Sequence, residues 1–200
     1  MIRPWLLICF IMLIPGLSSS ELNGKQENTL RKASNACSKM TSKEQEVVYL
    51  CNIARSDGAL FIEKYLAPFV EEHKLQSAAV RSLFKDLKNT KNIPPLQGHC
   101  SLYEVANAHA VKMGKTGRTG HENYKQRFKS VKDDFNQTAE NCDYGSNNPL
   151  EIVMSLLIDE GVPSRAHRKY ILSEDYSHVG VSIQPHKTYD FNAVMVFGGR

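Results

Sequence analysis

The sequence lacks most of the short motifs by which enzyme classes are recognised. It has no Cys-x-x-Cys pair, so it supports neither a thioredoxin-type redox site nor a zinc ribbon. It has no Gly-x-Ser-x-Gly elbow and no glycine-rich phosphate loop. The stretch HENYK, residues 121–125, begins like a metalloprotease helix but has lysine in place of the second histidine. The usual local signatures of a nucleophile, a phosphate site or a peptidase zinc site are therefore missing.

The chain also lacks the charge excess that indicates nucleic-acid binding. Its formal net charge is +4, which is too small for that inference. One stretch is locally basic, with the cations Lys112, Lys115, Arg118, Lys125, Arg127, Lys129 and Lys132 against the single acid Glu122 before residue 133. We interpret this stretch as a solvated loop, with an anionic lipid or polysaccharide surface as the alternative partner.

No apolar run is long enough to span a bilayer, which requires about 20 residues. The run WLLICFIMLI at residues 5–14 follows Arg3 and precedes small residues that suit a signal-peptidase site near Ser18 or Ser20. We predict a signal peptide over residues 1–20 and no transmembrane segment in the mature protein. The mature protein is then secreted, or periplasmic if the source is a Gram-negative bacterium.

Four cysteines remain after the predicted signal peptide: Cys37, Cys51, Cys100 and Cys142. An even number in a secreted chain indicates two disulfides, and four cysteines allow three connectivities. Of these, we favour Cys37–Cys51 with Cys100–Cys142. If all four cysteines are paired, no thiol is left to act as a nucleophile.

The remaining pattern predicts one α+β domain over residues 44–200, preceded by a polar leader at residues 21–43 without sustained periodicity. Helices are predicted from Glu44, after Ser77, from Ser101 and after Asn148. The alternating segments HVGVSIQ and NAVMVFG predict an antiparallel hairpin near the carboxyl terminus. His109 lies on the apolar face of the third of these helices, and we interpret it as a packing residue rather than a ligand.

Several histidines and acids lie at the predicted ends of elements, namely His121, Glu140, Asp159, Glu160 and His167. Imidazole and carboxylate groups together suit a divalent cation such as zinc, or general acid–base catalysis. Their spacing matches no local ligand template, so salt bridges at helix ends are the alternative interpretation. Asp159 and Glu160 would lie at the unfavourable end of a helix dipole unless Arg165, Arg168 or a metal ion offsets them.

Five motifs in order, over roughly residues 44–198, resemble those of the CAP superfamily (SCP/TAPS), which includes cysteine-rich secretory proteins, antigen 5 and pathogenesis-related proteins 1. CNIAR resembles the Asn-x-x-Arg of the family's first helix, at Asn52 and Arg55. The alanine-rich segment ending in GRTGH resembles the approach to the first cavity histidine, His121. The other three motifs are AENC for Glu140, LLIDE for the second acid at Glu160, and SRAHRKYIL followed by YSHVGVSI for His167.

The resemblance implies a three-layer α-β-α sandwich with a small antiparallel sheet and a cleft lined by His121, Glu140, Glu160 and His167. In some members these residues hold zinc or another divalent cation. The chain departs from the family where Ala139, Ala166 and Leu157 replace two glycines and a tryptophan. About four additional residues, 162–165, separate the second acid from His167, which makes Asp159 the alternative to Glu160.

The expected function is therefore that of a secreted, non-enzymatic protein that binds a divalent cation in this cleft. The resemblance also implies a possible sterol or fatty-acid ligand. The alternatives are a hydrolase that uses the same groups to activate water and a basic module that binds anionic surfaces. Asn136 begins the glycosylation sequon Asn-Gln-Thr, although chance occurrence is at least as good an explanation of that triplet.

Overall fold

The alternating segments of the sequence form a four-stranded mixed sheet. The computed structural model describes residue 22 and residues 24–200, so the predicted signal peptide lies outside the described residues. The strands are β1 (Gln97–Gly98), β2 (Gln137–Tyr144), β3 (His178–His186) and β4 (Asp190–Gly199). Their order is β1-β3-β4-β2, and only the two-residue β1 is parallel to its neighbour. The predicted hairpin is β3–β4, in register at Val179 and Phe197.

Helices cover both faces of this sheet. They are α1 (Gly24–Ser34), α2 (Ser42–Ser56), α3 (Gly58–Phe61), α4 (Ala67–Glu72), α5 (Ala78–Asn89), α6 (Cys100–Thr116), α7 (Tyr124–Arg127), α8 (Pro149–Ile158) and α9 (Ala166–Leu172). A π-helical turn, Ile62–Leu66, joins α3 to α4, and a 3₁₀ turn, Phe128–Ser130, follows α7. Within the described part of the chain, no helix has the length and apolarity needed to cross a membrane.

Two of the predicted helix starts are confirmed by their caps, Ser77 at α5 and Asn148 at α8. α2 begins at Ser42, two residues before the predicted Glu44, with a reciprocal capping box between Thr41 and Glu44 that the sequence analysis did not identify. The Ser77 hydroxyl accepts a hydrogen bond from the Val80 amide at α5, and the Asn148 side chain caps α8 ahead of Pro149. Local capping therefore sets the starts of α2, α5 and α8.

The three layers are α6, the sheet, and the group of helices that includes α2, α8 and α9. α6 packs so closely on β3 that a Cβ atom at Gly180 would lie 2.0 Å from the Tyr103 amide nitrogen. Two apolar clusters fill the spaces on either side of the sheet. The predicted α-β-α sandwich is confirmed.

The segment predicted as a polar leader contains the helix α1. Leu30 is the buried apolar side chain of this helix, which explains why no apolar period was visible in the sequence. Gln26 donates a hydrogen bond of 2.7 Å to the Ser56 hydroxyl, which fixes α1 against the end of α2. Polar and apolar contacts together therefore attach this segment to the domain.

The predicted cysteine pairing is wrong. Cys37 forms a disulfide with Cys100, whereas Cys51 and Cys142 are buried free thiols. The loop that carries Cys37 lies against β1, where a Cβ atom at Gly98 would be 3.1 Å from the Cys37 amide nitrogen. The packing of β1 against this loop thus brings Cys100, two residues after β1, next to Cys37. This contact depends on the tertiary structure, so the spacing of the cysteines along the sequence does not reveal it.

Arg55 of α2 is fully buried and joins three separate parts of the chain. Its guanidinium donates to the carbonyl oxygens of Pro94, Ile171, Ser173 and Tyr176 at 2.7–3.0 Å. Burial lowers the pKa of this group to about 10, and the backbone carbonyls satisfy its donors. One turn earlier, the Asn52 amide exchanges two hydrogen bonds with the backbone of Leu96. The Asn-x-x-Arg motif is therefore a structural clamp.

We expect Arg55→Lys to lower the free energy of unfolding by about 3 kcal/mol, since a single ammonium cannot reach all of these carbonyls and leaves buried acceptors without donors. Urea denaturation followed by circular dichroism measures the change. Arg81→Lys, at an exposed position of α5, is the matched control and should alter stability by less than about 0.5 kcal/mol. Equal stability of the two variants would contradict the clamp.

Candidate functional site

The strand β2 carries functional side chains on both of its faces. Successive residues of a strand point to opposite sides. Glu140 and Cys142 point toward α6, while Asn141 and Asp143 point toward α8 and α9. The contacts agree: Glu140 lies 3.9 Å from His109 of α6, and the Ser155 hydroxyl of α8 donates to Asp143 at 2.6 Å. The sheet therefore separates two chemically distinct clusters.

On the α6 side, Glu140 is the centre of an ion-pair cluster. His121 Nδ1 lies 2.8 Å from Glu140 Oε1, and Arg127 binds both carboxylate oxygens, with Nη2 to Oε1 at 2.8 Å. Burial acts to raise the pKa of the Glu140 carboxyl, but the bonds from His121 and Arg127 outweigh it and hold the pKa below its usual value. Glu140 is thus a buried carboxylate whose charge Arg127 neutralises.

The same cluster contains two further metal-ligand types. Donor atoms of His109, Glu140 and Cys142 all lie within 4.8 Å of one another, and this is the one group of three such residues in the described chain. His109 Nε2 bonds the Gly120 carbonyl at 2.8 Å, whereas its Nδ1 atom is buried with no hydrogen-bond partner among the described residues. Burial raises the pKa of the Cys142 thiol and so favours its protonated form. Nitrogen, oxygen and sulfur donors suit zinc, but an ion here must compete with Arg127 for Glu140.

On the α8 side, Asp159 holds His167. Asp159 ends α8 in the left-handed conformation, with φ of 56°. Its Oδ1 atom lies 2.8 Å from His167 Nδ1, and its Oδ2 atom accepts from the backbone amides of His167 and Arg168 at 3.0 and 3.3 Å. The carboxylate that follows the last turn of α8 therefore caps the first turn of α9, the favourable end of that helix.

Arg168 satisfies the carboxyl end of α8. The side chain is 2% exposed and donates to the carbonyls of Leu157 and Ile158 at 2.6 and 2.9 Å. It also bonds Ser82 and forms an ion pair with Asp86, which attaches α9 to α5. The unlike charges in this stretch therefore stabilise the turn between α8 and α9.

The structure brings the sequence-predicted site residues together as two pairs. His121 pairs with Glu140, and His167 pairs with Asp159 rather than with Glu160, whose side chain is exposed. His109 is buried and bonded to the Gly120 carbonyl, as expected of the packing residue that the sequence predicts, and it also lies in the Glu140 cluster. Cys142 is the cluster member that sequence reasoning missed, because the predicted disulfide removes its thiol. The alternation of β2 is the sequence signal that places Glu140 and Cys142 on the same face.

A cleft of about 390 Å³ lies beside the Asp159–His167 pair, between the start of α5 and the end of α8. Its apolar wall consists of Phe69, Leu75, Val80, Leu156, Ile158 and Val162. Asp143, Glu160 and His167 contribute to the polar wall. Asp143 is only 7% exposed, and burial raises its pKa to about 6. An apolar cavity therefore has a buried carboxylic acid on one side.

The predicted basic surface is partly neutralised. Arg127 is committed to Glu140, and both Lys112 and Arg118 form ion pairs with Glu122. The predicted glycosylation site, Asn136, is exposed at the residue before β2. Its modification stays a prediction.

Comparisons with known proteins concern the family and the fold. Residues 28–197 match the family model described as CAP, cysteine-rich secretory protein family. Among solved structures, an outer surface protein of Borrelia burgdorferi is 20% identical with a TM-score of 0.44, and the match covers 68% of this chain and 86% of that chain. An extracellular protein of Bacillus anthracis that contains an SCP domain is 18% identical with a TM-score of 0.48, covering 80% and 44%. No curated protein matches the chain.

We expect Asp143→Asn to raise the free energy of unfolding at pH 7.5 by about 1–3 kcal/mol, because a carboxyl with a raised pKa in the folded state destabilises the fold once it is ionised. The folded chain binds this proton more tightly than the unfolded chain. The wild type should therefore lose stability relative to the variant as the pH rises from about 4 to 6, and the difference should persist above that range. Urea denaturation across this pH range, with a chelator present, measures it. A difference that does not change with pH would contradict the assignment.

Proposed function

Because the chain belongs to the CAP family of cysteine-rich secretory proteins, we propose that it is an extracellular binding protein whose cleft accepts the apolar part of a small ligand. The observation that carries this proposal is the cavity of about 390 Å³ with six apolar side chains on its wall. Its volume lies within the range of about 300–1,000 Å³ that is usual for small-molecule sites. Contact with these walls would remove ligand surface from water, at about 25 cal/mol per Å².

The remaining features support binding rather than covalent catalysis. Cys51 and Cys142 are buried, and burial raises the pKa of both thiols, so neither suits a nucleophile. The Cys37–Cys100 disulfide suits an oxidising compartment outside the cytosol. The proposed location agrees with the amino-terminal pattern of Arg3, an apolar run and small residues.

A second candidate function is the binding of a divalent cation by the Glu140 cluster. It is favoured by the donor atoms of His109, Glu140 and Cys142 within 4.8 Å of one another, with His121 also bonded to Glu140. Zinc would supply a Lewis acid there. This chain's residues would have to release Arg127 from the carboxylate and a proton from the Cys142 thiol, so binding should strengthen with pH.

We expect wild-type protein to bind 1-octanol and Val162→Trp to lose this binding, since the larger indole would fill the cleft at a half-buried loop position. Calorimetric titration at pH 7.5 measures the affinity. Ile93→Trp, at another half-buried loop position that does not line this cleft, is the control and should bind as the wild type does. Octanol binding that survives Val162→Trp would place the apolar ligand elsewhere.

We expect Arg127→Gln to tighten zinc binding about tenfold, equivalent to about 1.4 kcal/mol, because it frees both oxygens of Glu140. His121→Ala should weaken zinc binding if the histidine joins the coordination. Arg118→Gln removes the same charge from an exposed position and is the matched control. Identical zinc affinities for the wild type and both arginine variants in a calorimetric titration would rule out a site at Glu140.

A further inference from the structure

The wall of the cleft has a charge opposite to that of the whole chain. The chain carries a formal net charge of +4. The acids that line the cleft are Asp143, Glu151, Asp159 and Glu160, and the only basic group among its lining residues in the described chain is His167. No lysine or arginine of the described residues lines it. The cleft therefore combines an apolar wall with a negative one.

The arginines nearest in sequence do not reverse this charge. Arg165 donates to the backbone carbonyl of Asp159. Arg168 is buried beneath the turn and bonds Asp86 together with the carbonyls at the end of α8. His167 is bonded to Asp159, and among the described residues no cation is hydrogen-bonded to Asp143 or Glu160.

Asp143 is the informative member of this set. Its side chain lines the cleft, and its hydrogen-bond partners are neutral: the Ser155 hydroxyl at 2.6 Å and the backbone of Tyr144. The charged groups that act on it through space are His167, which favours its ionised form, and Glu151, which opposes it. Burying a carboxylate without a cationic partner destabilises a fold. A group that costs stability and faces a cavity is typical of a binding residue rather than a structural one.

We propose that the cleft selects an amphiphile with a protonated amino group, the ammonium at the Asp143 and Glu160 wall and the hydrocarbon chain against Leu75, Val80 and Leu156. This inference rests on the proposed binding function of the same cleft. An ammonium donates to carboxylate oxygens and cancels their charge in a partly dry site, where such pairs are strong. A fatty acid would place a like charge against the same wall, so the cleft discriminates against the carboxylate ligand that the family resemblance implies.

The test uses three ligands with the same eight-carbon chain: n-octylamine, 1-octanol and octanoate. We expect the full mature chain at pH 7.5 and low salt to bind octylamine about tenfold more tightly than octanol, and octanoate more weakly than octanol, in calorimetric titrations. The octylamine preference should fall at high salt as the charges are screened. Octanoate binding equal to or tighter than octylamine binding would overturn the inference and leave the apolar cleft intact, whereas absence of binding by all three would overturn both.

Variants identify the acids responsible. Asp143→Asn with Glu160→Gln should reduce the ratio of octylamine affinity to octanol affinity from about tenfold to within about threefold. Asp133→Asn, at a side chain that is 91% exposed outside the cleft, is the matched control and should keep the preference. Since Asp143→Asn is expected to stabilise the fold, a loss of amine binding in a more stable protein cannot be attributed to unfolding. Full amine preference in the double variant would refute the assignment.

Discussion

The buried guanidinium of Arg55 is the contact on which the rest of the structure depends. It bonds the carbonyl of Pro94 before β1, that of Ile171 in α9, and those of Ser173 and Tyr176 between α9 and β3. The same side chain thereby fixes the entry to β1, the end of α9 and the approach to the long hairpin against α2. Because the bonds to Ile171 and Tyr176 are buried, removal of the arginine would leave these carbonyl acceptors without donors.

The turn between α8 and α9 forms one side of the cleft. Asp159 adopts a left-handed conformation that reverses the chain and directs its carboxylate to His167 and to the amides that begin α9. The buried Arg168 side chain stabilises the turn by donating to the last carbonyls of α8. The polar groups here satisfy one another, whereas Asp143 on the neighbouring strand is left to face the cavity. Asp159 and Arg168 are therefore structural residues, whereas Asp143 is the candidate contact for a ligand.

The sheet also separates acidic residues that are near each other in sequence. Glu140 and Asp143 are close in sequence, yet they belong to opposite faces of β2. One face holds a carboxylate neutralised by Arg127, and the other holds a carboxyl beside an apolar cavity. The family resemblance implied one cleft lined by His121, Glu140, Glu160 and His167. The contacts of this chain instead form two pairs, His121 with Glu140 and His167 with Asp159, and leave Glu160 exposed. The proposed cation and amphiphile sites therefore lie on opposite faces of β2, and Cys142 is the described residue that is both a candidate ligand of one and a lining residue of the other.

The sequence by itself determined the caps of α5 and α8, the hairpin, the layered fold and three residues of the two pairs, His121, Glu140 and His167, with Asp159 only as the alternative to Glu160. These follow from local signals: capping side chains, period-two alternation and short motifs in order. Only the tertiary structure decided that Cys37 pairs with Cys100, that His109 joins the Glu140 cluster, and that Asp159 rather than Glu160 holds His167. Each of these outcomes depends on how separate elements dock, or on one left-handed backbone conformation. Such contacts are set by packing across the domain, which local spacing along the chain does not encode.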